Sequence, residues 1–164
     1  MTNLYLKFSP EVRGESTTAG YVGWIEVMAA TWGGTNPCTI GTGVGAGSGK
    51  GEFNAVSLTL HLDSAYIFNF VHCMNGKHYE GAILAAIRAS GSEYVEYWRQ
   101  EMRLVFVESA VVSFTANSNP VVSLSLRCGA VELTYHEQQA NGQFKKKGPV
   151  QWSVVKNDQS LTVS

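Results

Sequence analysis

Apolar and polar residues alternate with a period of two along most of this sequence, and this alternation constrains the fold more than any other feature. In the clearest run, one side of an extended chain carries only apolar residues: Val56, Leu58, Leu60 and Leu62. Because successive side chains of a β-strand point to opposite faces, this run predicts a half-buried strand. Comparable runs occupy Leu4–Phe8, Gly23–Trp32, Ala82–Ala89, Tyr94–Phe114, Val121–Glu137 and Val150–Lys156.

One segment has a helical repeat instead, with apolar residues at Ile67, Phe70, Val71 and Met74. Asp63–Ser64 before it and Asn75–Gly76 after it are typical capping sequences, so we predict one helix of about three turns. Many strands with a lone helix predict an all-β, mainly antiparallel fold, either a sandwich or a barrel.

The alternation changes phase inside the run Val121–Glu137. Apolar residues take even positions up to Cys128 and odd positions from Val131, with Gly129 between them. One extra residue in a strand has this effect, so we predict a β-bulge at Gly129–Ala130.

A glycine-rich segment, residues 33–51, separates two of the predicted strands. Glycine takes every second position in its later part: Gly41, Gly43, Gly45, Gly47, Gly49 and Gly51. Because glycine loses the most backbone entropy on ordering, the segment cannot hold one conformation by itself. We therefore expect either a mobile lid or a strand that becomes ordered against a neighbouring molecule.

Nucleotide binding is not predicted for this segment. Gly49–Lys50 resembles the end of a P-loop, but Val44 stands where the motif needs glycine and Gly51 where it needs Ser or Thr. The GxGxxA match at residues 41–46 leads towards a strand pattern, so no helix N-terminus is available for a pyrophosphate.

Charged residues are sparse in this chain. They make up 15% of it, against roughly 25% in an average soluble domain, so we expect partners to cover part of the surface. The formal net charge is −1, which provides no basic field for nucleic acid. We expect one domain over residues 1–164, made in the cytoplasm without membrane insertion, because no signal-peptide pattern or long apolar stretch occurs.

No catalytic, cofactor or metal site is predicted. His72, Cys73 and His78 lie close in sequence, but their spacing matches no standard zinc site. No GxSxG motif is present, although catalytic triads assemble in space and need no fixed spacing.

The remaining charges are interpreted as charges of the solvent face or of a contact between subunits. The carboxylates Glu93, Glu96, Glu101 and Glu108 are spread along strand-like sequence, with nothing that brings two together for acid–base chemistry. Lys145–Lys147 is assigned to a solvated loop after Gly142, and an anion-binding patch is the less favoured alternative.

Several short motifs follow one another in a distinctive order. They are Gly14-Glu15-Ser16, the Trp24 to Trp32 strand, the glycine-rich segment, Asp63-Ser64, Cys73 with Gly76-Lys77-His78-Tyr79, Ile87-Arg88-Ala89 with Gly91, Glu96-Tyr97, Val105 to Ser109, Tyr135 with Gln138 and Gly142, and Trp152. In this order they resemble the haemolysin-coregulated protein (Hcp) family of the bacterial type VI secretion system, over nearly the whole chain. The helix departs from the family by being unusually aromatic, through Tyr66, Phe68 and Phe70.

This resemblance implies a compact antiparallel two-sheet β-barrel with one short α-helix on its side. It also implies homohexameric rings that stack into a hollow tube, with a spike protein at the tip, a contractile sheath outside and small secreted effectors in the lumen. Export by this route needs no cleavable signal peptide, and no catalytic extension is expected after the last strand.

We place the oligomer interface in the glycine-rich segment, at Gly41, Gly43, Gly45, Gly47, Gly49, Lys50 and Gly51. Alternating glycines leave one face of an extended chain without side chains, which lets another backbone approach closely. Two alternatives stay open: a ring that serves only as a receptor or chaperone for effectors, and an enzyme whose site is assembled in space.

Overall fold

Long antiparallel strands make up most of the molecule. The computed structural model describes residues 1–40 and 47–164, apart from the side chains of Thr39 and Ser48. In chain order the elements are β1 (Thr2–Ser9), β2 (Ile25–Thr31), β3 (Gly34–Thr35), β4 (Cys38–Thr39), β5 (Gly47–Ser48), β6 (Glu52–Phe53), β7 (Val56–His61), α1 (Tyr66–Asn75), β8 (Tyr79–Ser90), β9 (Glu93–Ser113), β10 (Val121–Gln138) and β11 (Phe144–Ser153). Each predicted strand corresponds to one of these elements, and the predicted helix is α1.

Six strands close into an antiparallel barrel in the order β10-β7-β2-β1-β8-β9, and β9 pairs again with β10. The predicted all-β barrel with one short helix on its side is therefore confirmed for the described residues. One edge of β10 pairs with two strands in succession: residues 121–126 pair with β7, and residues 130–138 pair with β11. The sheet consequently extends beyond the barrel at the β11 end.

The apolar halves of the alternating patterns fill the barrel. In β7, Val56, Leu58 and Leu60 are buried as the alternation predicted, and they belong to one core with Leu124 and Leu126 of β10. Full burial of such a side chain contributes about 1.5–3 kcal/mol. The barrel thus has a continuous apolar interior that fixes the register of its strands.

The bulge predicted at Gly129–Ala130 is wrong. The register between β10 and β9 is the same before and after Gly129, and the irregularities of β10 lie near residues 125–126 and 133–135. Leu104 of β9 has φ of 53°, and a Cβ on Gly129 would lie 3.2 Å from its side chain. We attribute the change of phase to this paired distortion of both strands, in which neither strand gains a residue at that point.

The basic triplet was assigned to a loop, and this assignment is also wrong. Lys145, Lys146 and Lys147 lie in β11, and Lys147 Nζ is 3.4 Å from Glu137 across the strand pair. Among the described strands β11 pairs only with β10. Lysine suits such an edge because its charge opposes further pairing, and a strand exposed on both faces shows no apolar alternation.

Candidate assembly surfaces

The described part of the segment between β2 and β7 forms a two-stranded arm, which we define as residues 33–40 and 47–54. Within it β3 pairs with β6 and β4 with β5. Asn54 N–H donates to Gly33 O at 2.8 Å, and Gly49 N–H donates to Pro37 O at 2.7 Å. Most of its described residues are exposed. An isolated two-stranded ribbon is marginally stable in water, so the arm is a candidate contact surface.

The structure describes four of the seven predicted interface residues, and these four belong to the arm. Gly47, Gly49, Lys50 and Gly51 lie on its returning half. Gly41, Gly43 and Gly45 lie outside the described residues. At Gly49 an added Cβ would lie 2.5 Å from Pro37 Cγ, so the backbone that approaches this glycine belongs to the arm itself.

The helix α1 packs on the barrel through its polar residues. Asn69 is 2% exposed, and its Oδ1 accepts a hydrogen bond of 2.9 Å from the Tyr79 hydroxyl. The ring of His72 stacks on Tyr79 with centroids 4.1 Å apart. Tyr66 OH donates to Ala110 O at 3.2 Å, which anchors the start of the helix on β9. Burial raises the pKa of the Tyr79 phenol, so it stays a donor at neutral pH.

The apolar residues of α1 point outward, and we call them the outer helix face. They are 43% to 67% exposed: Ile67, Phe68, Phe70, Val71 and Met74. An apolar stripe at helical spacing normally faces the core. Here the apolar stripe predicts the helix correctly, but the stripe itself lies on the side of the helix that faces away from the barrel. Of the aromatic residues that set this helix apart from its family, Phe68 and Phe70 contribute to that exposed surface, whereas Tyr66 packs on the barrel.

The residues considered as zinc ligands each have other contacts. His72 is stacked on Tyr79, His78 lies against Phe106, and the Cys73 thiol donates to Glu108 O at 3.6 Å. No group of three or more metal-binding side chains occurs within residues 1–40 and 47–164.

Two of the carboxylates that looked isolated in the sequence converge on one guanidinium. Arg99 Nη1 lies 3.2 Å from Glu96, and Arg99 Nε lies 3.0 Å from Glu101. The Tyr21 hydroxyl donates to Glu96 at 2.7 Å, and burial together with this bond raises the pKa of Tyr21. Glu96 and Glu101 therefore come together, which their spacing in the sequence does not indicate, but they do so as ion-pair partners of Arg99 and not as an acid–base pair. Since both are paired with Arg99, the cluster tethers the loop that carries Tyr21 to β9.

A flat surface of small side chains covers the outside of β2, β7, β10 and β9, and we call it the hydroxyl face. Its two cross-strand rows are Ala29, Thr59, Ser123 and Val111, and Thr31, Ser57, Ser125 and Ser109. Directly paired residues of neighbouring strands share a face, so these eight side chains form one surface. Glu108 borders it and accepts a hydrogen bond of 3.0 Å from Ser125.

Sequence reasoning missed the hydroxyl face and the Arg99 cluster. The polar half of the alternation in β7 already contained Ser57 and Thr59. A set of rows emerges only from the strand order and register, which one sequence does not specify. The Arg99 cluster likewise depends on a contact between residues 21 and 96.

The sequence matches the family model described as type VI secretion system effector, Hcp, over residues 5–135. None of the curated proteins matches it significantly. No helix in the described part of the chain is long and apolar enough to cross a membrane.

Solved structures with similar folds cover almost the whole chain. A type six secretion system protein is 27% identical with a TM-score of 0.90, and the match covers 98% of this chain and 100% of that chain. Hcp1 from Salmonella typhimurium is 19% identical with a TM-score of 0.74, covering 97% and 99%. A chain of the anti-feeding prophage baseplate is 6% identical with a TM-score of 0.53, covering 80% and 91%. The last two are likenesses of fold alone.

Proposed function

Because this chain belongs to the Hcp family of the type VI secretion system, we propose that it is a subunit of the secretion tube. Six copies form a ring, and rings stack into a hollow tube that is exported. The observation that carries this proposal is the likeness along the whole chain to a type six secretion system protein. The chain is a structural protein and not an enzyme.

The arm supplies contacts between copies in this proposal. We place the contact at the predicted interface residues, which are Gly47, Gly49, Lys50 and Gly51 of the arm together with Gly41, Gly43 and Gly45. Ordering each backbone residue costs about 1–2 kcal/mol, so a long ordered arm needs an extensive contact to offset that loss. A plain connection between two strands needs only two to five residues.

The hydroxyl face lines the lumen in this proposal. Its small Ser and Thr side chains hydrogen-bond to water, and the eight residues include no charge. Such a surface stays hydrated and offers donors and acceptors to a small effector protein. The ring then serves as a receptor for cargo and as a tube segment at once.

The remaining partners of the proposed tube are a spike protein at its tip and a contractile sheath outside. Export with the tube needs no cleavable signal peptide. Of these contacts, the one with the sheath has to be released when the tube leaves the cell, whereas contacts between copies persist.

Particle mass and shape test the proposed function directly. Light scattering after size exclusion should give a mass of six chains, and negative-stain images should show rings with a central hole. A culture with an active secretion system should release the protein, and one without the sheath should not. A monodisperse monomer at micromolar concentration contradicts the proposal.

A further inference from the structure

We propose that the outer helix face of one copy packs on an apolar shelf of the sheet in the next copy. We define the shelf as Trp98, Leu133, Tyr135 and Val150. This inference rests on the proposed ring and adds which two surfaces meet in it.

The outer helix face requires a partner because it is apolar without interruption. Residues 64–76 contain no Asp, Glu, Lys or Arg, and five large apolar side chains of the helix are exposed together. Contiguous exposed apolar surface that includes aromatic rings is typical of binding sites. The polar side of the same helix is already used, since Asn69 and His72 face Tyr79.

The shelf lies where the sheet extends beyond the barrel. Leu133 pairs with Val150 on one side and Gln100 on the other, and Tyr135 pairs with Trp98. Directly paired residues share a face, and Leu133 and Tyr135 have the same parity as the core residue Val131. The shelf therefore continues the inner face of the barrel into solvent, where Tyr135 and Val150 are exposed.

The two surfaces match in size and in chemistry. α1 has 10 residues, which makes it about 15 Å long. The shelf residues lie on β9, β10 and β11, and two strand spacings of about 4.8 Å give a width of about 10 Å, which a helix of this length spans completely. The four shelf side chains are uncharged, as is the outer helix face. Lys147 pairs directly with Tyr135 and lies on the same face, but its ion pair with Glu137 at the border of the shelf gives its charge a partner when the two surfaces meet.

A second copy is the occupant because the two surfaces belong to one chain and cannot meet within it. The chain holds α1 against residues 108–110 of β9, whereas the shelf lies around residues 98–100 of the same strand. Two different patches that fit each other produce a head-to-tail contact, which closes into a ring or continues as a filament. Permanent interfaces are the more apolar ones, and a sheath contact that has to be released is better made by polar groups.

The first experiment places one carboxylate on each surface. Val71→Glu changes the outer helix face and Val150→Glu changes the shelf. Val111→Glu is the matched control, because Val111 on the hydroxyl face has the same 52% exposure as Val71. We expect both test variants to lose the ring completely while keeping the circular dichroism spectrum of the wild type, and the control to keep the ring.

A mixture of the two test variants gives the sharper result. Val150→Glu retains an intact helix face and Val71→Glu retains an intact shelf, so together they can form one contact and no more. Sedimentation velocity should then show a 1:1 dimer that does not grow with concentration. A mixture that stays monomeric overturns the proposal, as do rings that persist in either variant.

The outcomes also separate this inference from the proposed function. If the wild type forms no ring, the proposed function fails. If the wild type and Val71→Glu both form rings, only the helix-to-shelf contact fails. Rings of Val71→Glu that no longer bind the sheath protein or an effector would assign the outer helix face to that partner and overturn the proposal.

Discussion

β7 and α1 are neighbours in the sequence, and they use their apolar residues in opposite ways. In β7, Leu58 and Leu60 face the core while Ser57 and Thr59 face outward. In α1 the polar Asn69 is buried and the apolar residues are exposed. Both patterns predicted their element correctly, yet only the strand buries its apolar half within the molecule.

The difference shows what a periodic pattern specifies. Periodicity reports which residues share a face of an element, because that follows from backbone geometry. It does not report whether the face is covered by the same chain or by another copy. The apolar half of β7 stabilises the monomer, and we infer that the apolar half of α1 stabilises the assembly.

The largest effect on the monomer is expected in β7. Leu58→Ala should lower the free energy of unfolding by about 2–5 kcal/mol, because it leaves a cavity in a packed core. The matched control is Ser57→Ala on the hydroxyl face, which should change stability by no more than about 0.5 kcal/mol. Urea unfolding of both variants in the Val71→Glu background measures this without ring dissociation. Equal effects at the two positions would contradict the placement of the core.

The next effect concerns the polar side of α1. Asn69→Ala leaves the buried Tyr79 hydroxyl without its acceptor, which should cost about 1–3 kcal/mol. Tyr79→Phe removes the donor instead. In the double variant the loss should be smaller than the sum of the single losses, since the second change no longer leaves a polar group unpaired. Strictly additive losses would show that this hydrogen bond does not hold the helix on the barrel.

The elements of the fold were predictable from this sequence, whereas the surfaces were largely not. Alternation depends on neighbouring residues, so strands such as β7 and β10 are visible in one sequence. The alternation reveals only the end of β11 from Val150, because its first half is exposed on both faces and the triplet Lys145–Lys147 there has no apolar partner positions. Contacts between residues distant in sequence determine which side of α1 packs on the barrel and which residues form the rows of the hydroxyl face. The glycines mark the segment between β2 and β7 but do not predict the pairing of β3 with β6 and of β4 with β5, and Gly49 packs against Pro37 of the same arm.

A smaller effect is expected just before α1, where Asp63 Oδ1 accepts a hydrogen bond of 3.0 Å from Ala65 N–H. Asp63 is not the N-cap of α1, which is Ala65, but Asp63→Ala should still cost about 1 kcal/mol because it leaves Ala65 N–H without this acceptor. Asp63→Asn keeps an acceptor and removes the charge, so it should be near neutral at pH 7. Burial raises the pKa of Asp63, with Glu15 and Glu26 adding to the rise and the bond from Ala65 opposing it.

The raised pKa of Asp63 gives the stability of the protein a pH dependence of definite sign. A raised folded-state pKa means that the folded protein holds the proton more tightly than the unfolded chain. The stabilisation is therefore present below the unfolded-state pKa of about 3.9 and is lost as the pH rises through the folded-state pKa. Wild-type stability should fall relative to Asp63→Asn over that window, as measured by urea unfolding in the Val71→Glu background. A difference that is constant with pH, or that rises, would contradict the assignment.

The smallest effect on the monomer is expected at the outer helix face, and it completes the comparison with β7. Ile67 is 61% exposed, so Ile67→Ala should change unfolding of the Val71→Glu monomer by less than about 0.5 kcal/mol. In the otherwise wild-type chain the same change should promote ring dissociation on dilution, because six copies each lose part of the contact. Leu58→Ala should have the opposite effects: it should make the monomer less stable, and it should change the dissociation of rings of folded protein very little. If Ile67→Ala weakened the monomer as much as Leu58→Ala does, α1 would be burying this side chain within its own molecule, and the assembly role of its apolar face would be lost.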